Sequence, residues 1–316
     1  MLAVPTLIGV SLIAFFMVRL IPGGVVQQIA GDNQLAGDDK ARIERDLGLD
    51  QPAWKQYFTW SGNVLRLDFG RSLRDRGEIS KVLKKKLPTT LEMAVLAIII
   101  SLMIAIPVGM LSAVRQDSIF DYIARSLSIG FLAVPSFWLG TMIIVYSGKF
   151  NLATPLAQNY EQIWENPYEN LKFMLFPFGY FIPVGPAVLL GISLSGTVMR
   201  LMRTQMLEVL RQDYIRTAWA KGLRERSVVG RHAVKNAMIP VITVVGLQVP
   251  IVVGGSVIVE SIFNVPGMGQ LLAQSIGTRD YTTIQAITVL SAVAVIFSNL
   301  AVDIAYGYLD PRIRYG

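Results

Sequence analysis

Long stretches of this chain carry apolar residues with no charge at all, separated by shorter polar segments. Six uncharged runs stand out, at residues 1–18, 93–114, 126–148, 173–199, 236–259 and 281–302. Each is close to the ~20 residues an α-helix needs to cross about 30 Å of hydrocarbon. A seventh run, 261–278, holds N-V-P-G-M-G and several polar residues, and reads as a loop or a short re-entrant piece. The pattern predicts an all-α polytopic membrane protein with six transmembrane helices.

Between the first two runs lies an extramembrane region, 21–88, with twelve basic and nine acidic residues. Helices are predicted over 38–47, stopped by Gly48, and over 52–67, with apolar positions at Trp54, Tyr57, Phe58, Trp60, Val64 and Leu65. L-D-F-G-R-S-L then reads as a turn. The region is too short and polar for a large core, so a small extracytoplasmic helical cap is expected. Trp54, Tyr57 and Trp60 suit interfacial anchors better than a docking surface. The chain divides into a first helix at 1–20, an extracytoplasmic loop at 21–88, and a five-helix core at 89–316 with a cytoplasmic loop at 200–238. The first run lacks a basic leader and a small-residue cleavage site, and reads as a retained anchor.

Composition strengthens the membrane reading: 53% of residues are hydrophobic and 16% charged, against about 25% charged in soluble domains. The absence of cysteine excludes disulfides, thiolate metal sites and cysteine nucleophiles. Charge also orients the chain. The connections 112–125 and 200–235 and the tail carry Arg115, Arg125, nine further cations, Arg312 and Arg314. The opposite side holds only Lys149, Lys172 and Arg279 among the short connections. This predicts cytoplasmic N- and C-termini. The basic region 21–88 does not oppose this, because the bias applies to loops shorter than about 60 residues.

The densest basic segment, 200–240, sets nine Lys and Arg against Glu208, Asp213 and Glu225. Met202, Met206, Val209 and Leu210 recur at helical spacing, and Q-D-Y breaks the pattern. Asp213 is placed to cap a short helix from Tyr214 to Lys221, and Gly222 is its natural stop. Val228, Val229, Ala233 and Ala237 begin the next helix. A short helix held crosswise between two spans can work as a lever.

No span carries a charge at its middle, which argues against an ion-coupled secondary transporter, the rival class. His232, the only histidine, lies in the basic loop and reads as structural. Gly191-Ile192-Ser193-Leu194-Ser195-Gly196 has no histidine to activate a serine. Prolines and glycines within the runs suit helix packing. Ser193, Ser195, Gln248 and Ser256 are candidates for lining a path because they are polar within spans. Glu260 stands at the outer end of the fifth run, facing the path mouth or an external partner protein, or capping a packing contact. No residue set suggests a metal.

D-Y-I-R-T-A-W-A-K-G-L followed by R-H-A-V-K-N-A-M-I-P resembles the cytoplasmic E-A-A loop of ABC-importer permeases, in the form of the dipeptide/oligopeptide family. L-G-L-D-Q-P, L-D-F-G-R-S, L-P-T-T-L-E, V-P-S-F-W-L-G, V-G-L-Q-V-P, G-G-S-V-I-V-E-S-I-F-N-V-P-G-M-G-Q-L-L, R-D-Y and D-P-R-I-R-Y extend the resemblance over nearly the whole chain. Two departures stand out. Arg216-Thr217-Ala218 replace the usual Glu-Ala-Ala, and the I-x-L-P ending is His232-Ala233-Val234-Lys235 with proline only at Pro240. Such permeases often have a short basic leader, so a trimmed or misassigned start is expected.

The resemblance implies a type I ABC-importer permease fold of the "B" type, carrying peptides or another small solute such as glutathione or a nickel chelate. It implies a second homologous permease chain, two cytoplasmic ATPases that bind ATP and Mg, and an extracytoplasmic peptide-binding protein. This chain itself would be no enzyme and hold no cofactor, and it has no G-x-x-x-x-G-K-[ST] phosphate loop. By the resemblance, Tyr214, Arg216, Thr217, Ala218, Lys221, Gly222 and Arg224 would couple to the ATPase. The cations would supply charge complementarity, and Ala218 and Gly222 close fit.

Overall fold

The computed structural model describes residues 3–20, 50–72, 74–149, 160–176 and 184–309. The helix expected at 38–47 and the D-P-R-I-R-Y tail lie outside the described residues. The described elements are helices, apart from one isolated bridge between Arg71 and Glu78. In order they are α1 (Ala3–Arg19), α2 (Ala53–Leu65), α3 (Ile79–Val114), α4 (Ile119–Ala133), α5 (Ser136–Lys149), α6 (Pro167–Leu175), α7 (Pro186–Leu210), α8 (Asp213–Ala220), α9 (Val234–Ile262), α10 (Met268–Gly277) and α11 (Tyr281–Leu309). A short turn, Glu225–Ser227, and a π-helical stretch, Val228–Ala233, lead into α9.

Among the described residues, Ile79–Val114, Glu225–Val249 and Tyr281–Ala301 are long and apolar enough to cross a membrane. The third uncharged run is not one straight span. It is two helices, α4 and α5, meeting at 90°. Pro135 denies the helix a donor and forces Val134 out of the α region, to φ −93° and ψ 119°. The fourth run is also divided. Phe173 belongs to α6, whose start is capped by Asn166, whereas α7 begins afresh at Pro186 after an extended Gly185. The second run's helix is longer than expected, starting at Ile79 rather than after Pro88. Ile79 and Leu83 are buried, so packing holds the added turns despite Lys84, Lys85 and Lys86. Within 261–278, a loop of five residues is followed by the regular helix α10.

The chain forms two compact units. The first comprises Met1–Pro88 and Gln270–Ile296. Here α2 lies along α1. Arg19 donates from Nε and Nη2 to Gln56 Oε1 and stands 3.4 Å over the Phe15 ring. Phe15 meets Tyr57 edge-on with ring centroids 5.3 Å apart, and the Tyr57 and Ser11 hydroxyls are 2.7 Å apart. Trp60 joins this aromatic group, whereas Trp54 stays exposed. The L-D-F-G-R-S turn is built on Leu67 and Gly70 at positive φ, and Ser72 donates to Asp280 Oδ2 at 2.6 Å.

The second unit comprises Thr89–Gly269 and Phe297–Gly316. Its axis is α7, against which α4, α5, α6 and α9 pack. Close approach requires small residues. A Cβ on Gly109 would stand 2.8 Å from Met199 O, and one on Gly191 would stand 2.8 Å from Ile100 Cβ. Two apolar clusters result, one around Met93, Leu189, Val252 and Phe263, the other around Met199, Met202, Met206 and Val241. Met103, Ile123, Ile129 and Phe297 remain exposed on the surface of this chain.

Candidate coupling segment

The basic segment folds as a corner, a short helix and a second corner. α7 ends at Leu210, and Arg211 donates its amide to Glu208 O. Gln212 then turns extended, at φ −71° and ψ 149°, and its carbonyl accepts from Ile215 N and Arg216 N. Gln212 is therefore the cap residue of α8, and Asp213 is its first helical residue rather than the cap. Asp213 still suits the position, since an acid in the first turn faces the positive end of the helix dipole. Its ion pair with Arg216, at 3.6 Å between exposed side chains, contributes little.

The far end of α8 is a complete Schellman stop. Gly222 N donates to Trp219 O at 2.9 Å, and Leu223 N donates to Ala218 O at 3.4 Å. Gly222 sits at φ +75°, where a side chain brings backbone strain. Arg224 is extended again and starts the turn toward α9.

One face of α8 is fixed to the body of the chain. Ile215 and Ala218, three residues apart, are buried in the cluster of Met202, Met206, Val228, Val229 and Ala233. Across the second corner, Asn236 Nδ2 donates to Tyr214 Oη at 3.0 Å and to His232 O at 2.9 Å. The other face is open. Tyr214, Arg216, Thr217, Lys221, Gly222 and Arg224 are all exposed. Ala218 is not; its small side chain fits inward against this chain. Trp219 and Leu223 are exposed on the open face at 45% and 40%, and sequence reasoning passed over both. The spacing 215/218 against 219/223 marks the two faces and could have separated them.

The lining candidates are placed otherwise. Ser193 and Ser195 donate to Leu189 O and Ile192 O of their own helix. Gln248 donates across to Leu194 O at 3.0 Å. Ser195, Gln248, Ser256 and Glu260 are buried within the chain, and Ser193 is half-buried. Glu260 Oε1 accepts from Thr90 Oγ1 at 2.8 Å.

Residues 105–315 match the family described as binding-protein-dependent transport system inner membrane component. The chain belongs to this family. It is 38% identical over 327 residues to the dipeptide transport system permease protein DppB of Escherichia coli K12, covering 99% of this chain and 96% of that one. It is 38% identical over 316 residues to the oligopeptide transport system permease protein AppB of Bacillus subtilis 168, covering 100% and 97%. The di/tripeptide transport system permease protein DppB of Pseudomonas aeruginosa is 35% identical over 325 residues, covering 99% and 96%.

In this permease α7, the helix leading into α8, is anchored by a buried carboxylate. Asp121, fully buried on α4, accepts from Arg203 Nε at 2.7 Å and from Arg203 Nη2 at 2.8 Å. Ser112 Oγ at the end of α3 and the Asp117 amide also donate to it, and Arg125 Nη2 stands 3.2 Å away. A planar fork on both carboxylate oxygens fixes orientation as well as distance. The C-terminal end of α3 and the start of α4 are thereby joined to α7 at Arg203, ten residues before α8 begins.

Proposed function

We propose that this chain is the permease subunit of an ATP-driven ABC importer of di- and oligopeptides. It would pair with a second permease chain. Two cytoplasmic ATPases would bind ATP and Mg, and an extracytoplasmic binding protein would deliver the peptide. Near full-length similarity to dipeptide and oligopeptide permeases supports the substrate class. The observation that carries the coupling role is α8 itself: a capped helix, fixed on one face and open on the other.

In this reading the open row of Tyr214, Arg216, Trp219, Lys221 and Leu223 seats in a cleft of one ATPase. Arginine, tyrosine and tryptophan are the residue types that dominate such interfaces. Closing of the ATP-bound pair pushes α8. Because Ile215 and Ala218 lock α8 onto the base of α7 and the π turn before α9, the push tilts both helices and changes which side of the membrane the path opens to. The termini and the coupling segment lie on the cytoplasmic side.

The test is ATP-dependent uptake of a labelled dipeptide by proteoliposomes holding the assembled complex. Trp219→Ala should lower uptake at least tenfold and weaken co-purification of the ATPases, with insertion of the chain unchanged. Unchanged uptake and ATPase retention would sink the coupling assignment. Gradient-driven uptake without ATPase subunits would sink the importer class.

A further inference from the structure

Beside the Asp121 anchor is a cavity of about 130 Å³ that the transport reading does not use. Arg125, Arg200 and Arg203 line it with Ser128 and Thr204, and Ala124, Ile129 and Met199 form its apolar wall. Asp121 satisfies Arg203 through two hydrogen bonds. Arg125 is different: its partly exposed guanidinium lies 4.5 Å over the Tyr122 ring and its Nη2 is ion-paired to Asp121 at 3.2 Å and Asp117 at 3.8 Å, but its buried Nε has no hydrogen-bond acceptor. A buried guanidinium N–H without an acceptor calls for one from outside the chain. Arg200 is exposed and stands outside the Asp121 cluster. Counting Asp121 and the exposed Asp117 against three arginines leaves one unit of positive charge at the cavity.

The position along the chain says what the acceptor is. Arg200 directly follows the fourth uncharged run, Arg125 directly precedes the third, and Ser112 is near the end of the second. All three runs therefore leave the hydrocarbon at this level, which is where phospholipid phosphates lie. The cavity is amphipathic in the matching sense, with arginines on one side and Ile129 and Met199 on the other. Guanidinium forks suit phosphate oxygens, and basic pockets between spans on the cytoplasmic side hold anionic headgroups.

We infer that Arg125 and Arg200, with the cavity between α4 and α7, bind the phosphate of an inner-leaflet phospholipid whose glycerol and upper acyl chain rest on Ile129 and Met199. The bound lipid would complete the polar surround of the Asp121 anchor at the root of the coupling segment. The inference rests on the membrane placement and cytoplasmic orientation proposed for these helices and not on the coupling assignment.

The test uses the assembled complex purified in detergent from membranes containing phosphatidylglycerol, with retained lipid counted by native mass spectrometry. Wild type should retain one phospholipid more than Arg200→Gln and Arg125→Gln/Arg200→Gln. Retention should fall about fivefold for each arginine removed, following about 1 kcal/mol per cation at an anionic surface. Arg200→Gln touches only an exposed side chain, so its result stands even if the double variant assembles poorly. Equal retention in wild type and Arg200→Gln overturns the site. So does an assembled wild type with no retained phospholipid, as a partner chain filling the cavity would produce. Radiolabelled inorganic phosphate that binds delipidated complex and is not displaced by phosphatidylglycerol would identify a free-anion site and also overturn it.

Discussion

Thr90 and Glu260 are 170 residues apart in sequence, yet the Thr90 hydroxyl donates to Glu260 Oε1 at 2.8 Å. The same hydroxyl accepts from Met268 N, also at 2.8 Å. A Cβ on Gly267 would stand 2.4 Å from Glu260 Oε2 and 2.6 Å from Thr90 Oγ1. Thus L-P-T-T-L-E and V-E-S-I-F-N-V-P-G-M-G are two halves of one packing site: a buried carboxylate, the hydroxyl that satisfies it, and the glycine that makes room.

This site should answer to both chemistry and volume. Thr90→Val removes the donor from a buried carboxylate and should cost roughly 1.5–3 kcal/mol. Gly267→Ala keeps every hydrogen bonding group and should still cost roughly 1–3 kcal/mol through overpacking. Both variants should lower the thermal unfolding midpoint of the purified chain, whereas Thr90→Ser should stay close to wild type. A Gly267→Ala midpoint equal to wild type would remove the steric argument.

Gly222 allows backbone and size effects to be separated. Nothing lies within 4 Å of an added Cβ, but φ is +75°. Asparagine tolerates that region, whereas a β-branched residue does not. Gly222→Asn should keep most ATP-driven uptake, and Gly222→Val should lose most of it while inserting normally. If Asn and Val are equally damaging, the glycine serves close approach of a partner rather than the helix stop.

The short helix α8 and its stop were legible because their signals are local: a broken 3.6-residue pattern at Q-D-Y and a glycine after Lys221. The facing of its residues was less so. Ala218 looks like a small residue kept for a partner, yet it shares the inward stripe with Ile215, and Trp219 takes the outward place. The bend at Pro135 was hidden because V-P-S-F-W-L-G carries no charge and continues the hydropathy of its neighbours. Asp121 in a polar connection reads as solvated until α7 brings Arg203 to it. Tertiary pairings such as Thr90 with Glu260 leave no trace at any fixed spacing.

Tyr160 offers a pH-dependent check outside the spans. It donates to Thr89 Oγ1 at 3.0 Å, and burial pushes its phenol up to about 12. The folded state therefore holds this proton more tightly than the unfolded chain, where it is lost near pH 10. The stabilisation is fully present below about pH 10 and is lost as pH rises toward 12. Wild type should lose stability over that window more steeply than Tyr160→Phe. Identical pH profiles would mean that the phenol is not buried.

The Asp121 anchor makes a prediction in which a double change is milder than a single one. Asp121→Asn leaves Arg203, only 18% exposed, without its counter-charge. Breaking a buried pair from one side costs about 3–5 kcal/mol, whereas replacing both partners by uncharged groups of similar volume is often neutral. Asp121→Asn and Arg203→Met should each lower the unfolding midpoint and reduce ATP-driven uptake sharply. Combined, they should recover much of the stability, because both charges of the buried pair are gone and the partly exposed Arg125 keeps Asp117 within 3.8 Å. Uptake should recover less, since the fork that fixes α7 against α4 is still missing. Additive losses in the double variant would mean that the two residues act independently, and full recovery of uptake would mean that the fork holds the fold but does not guide the push from α8.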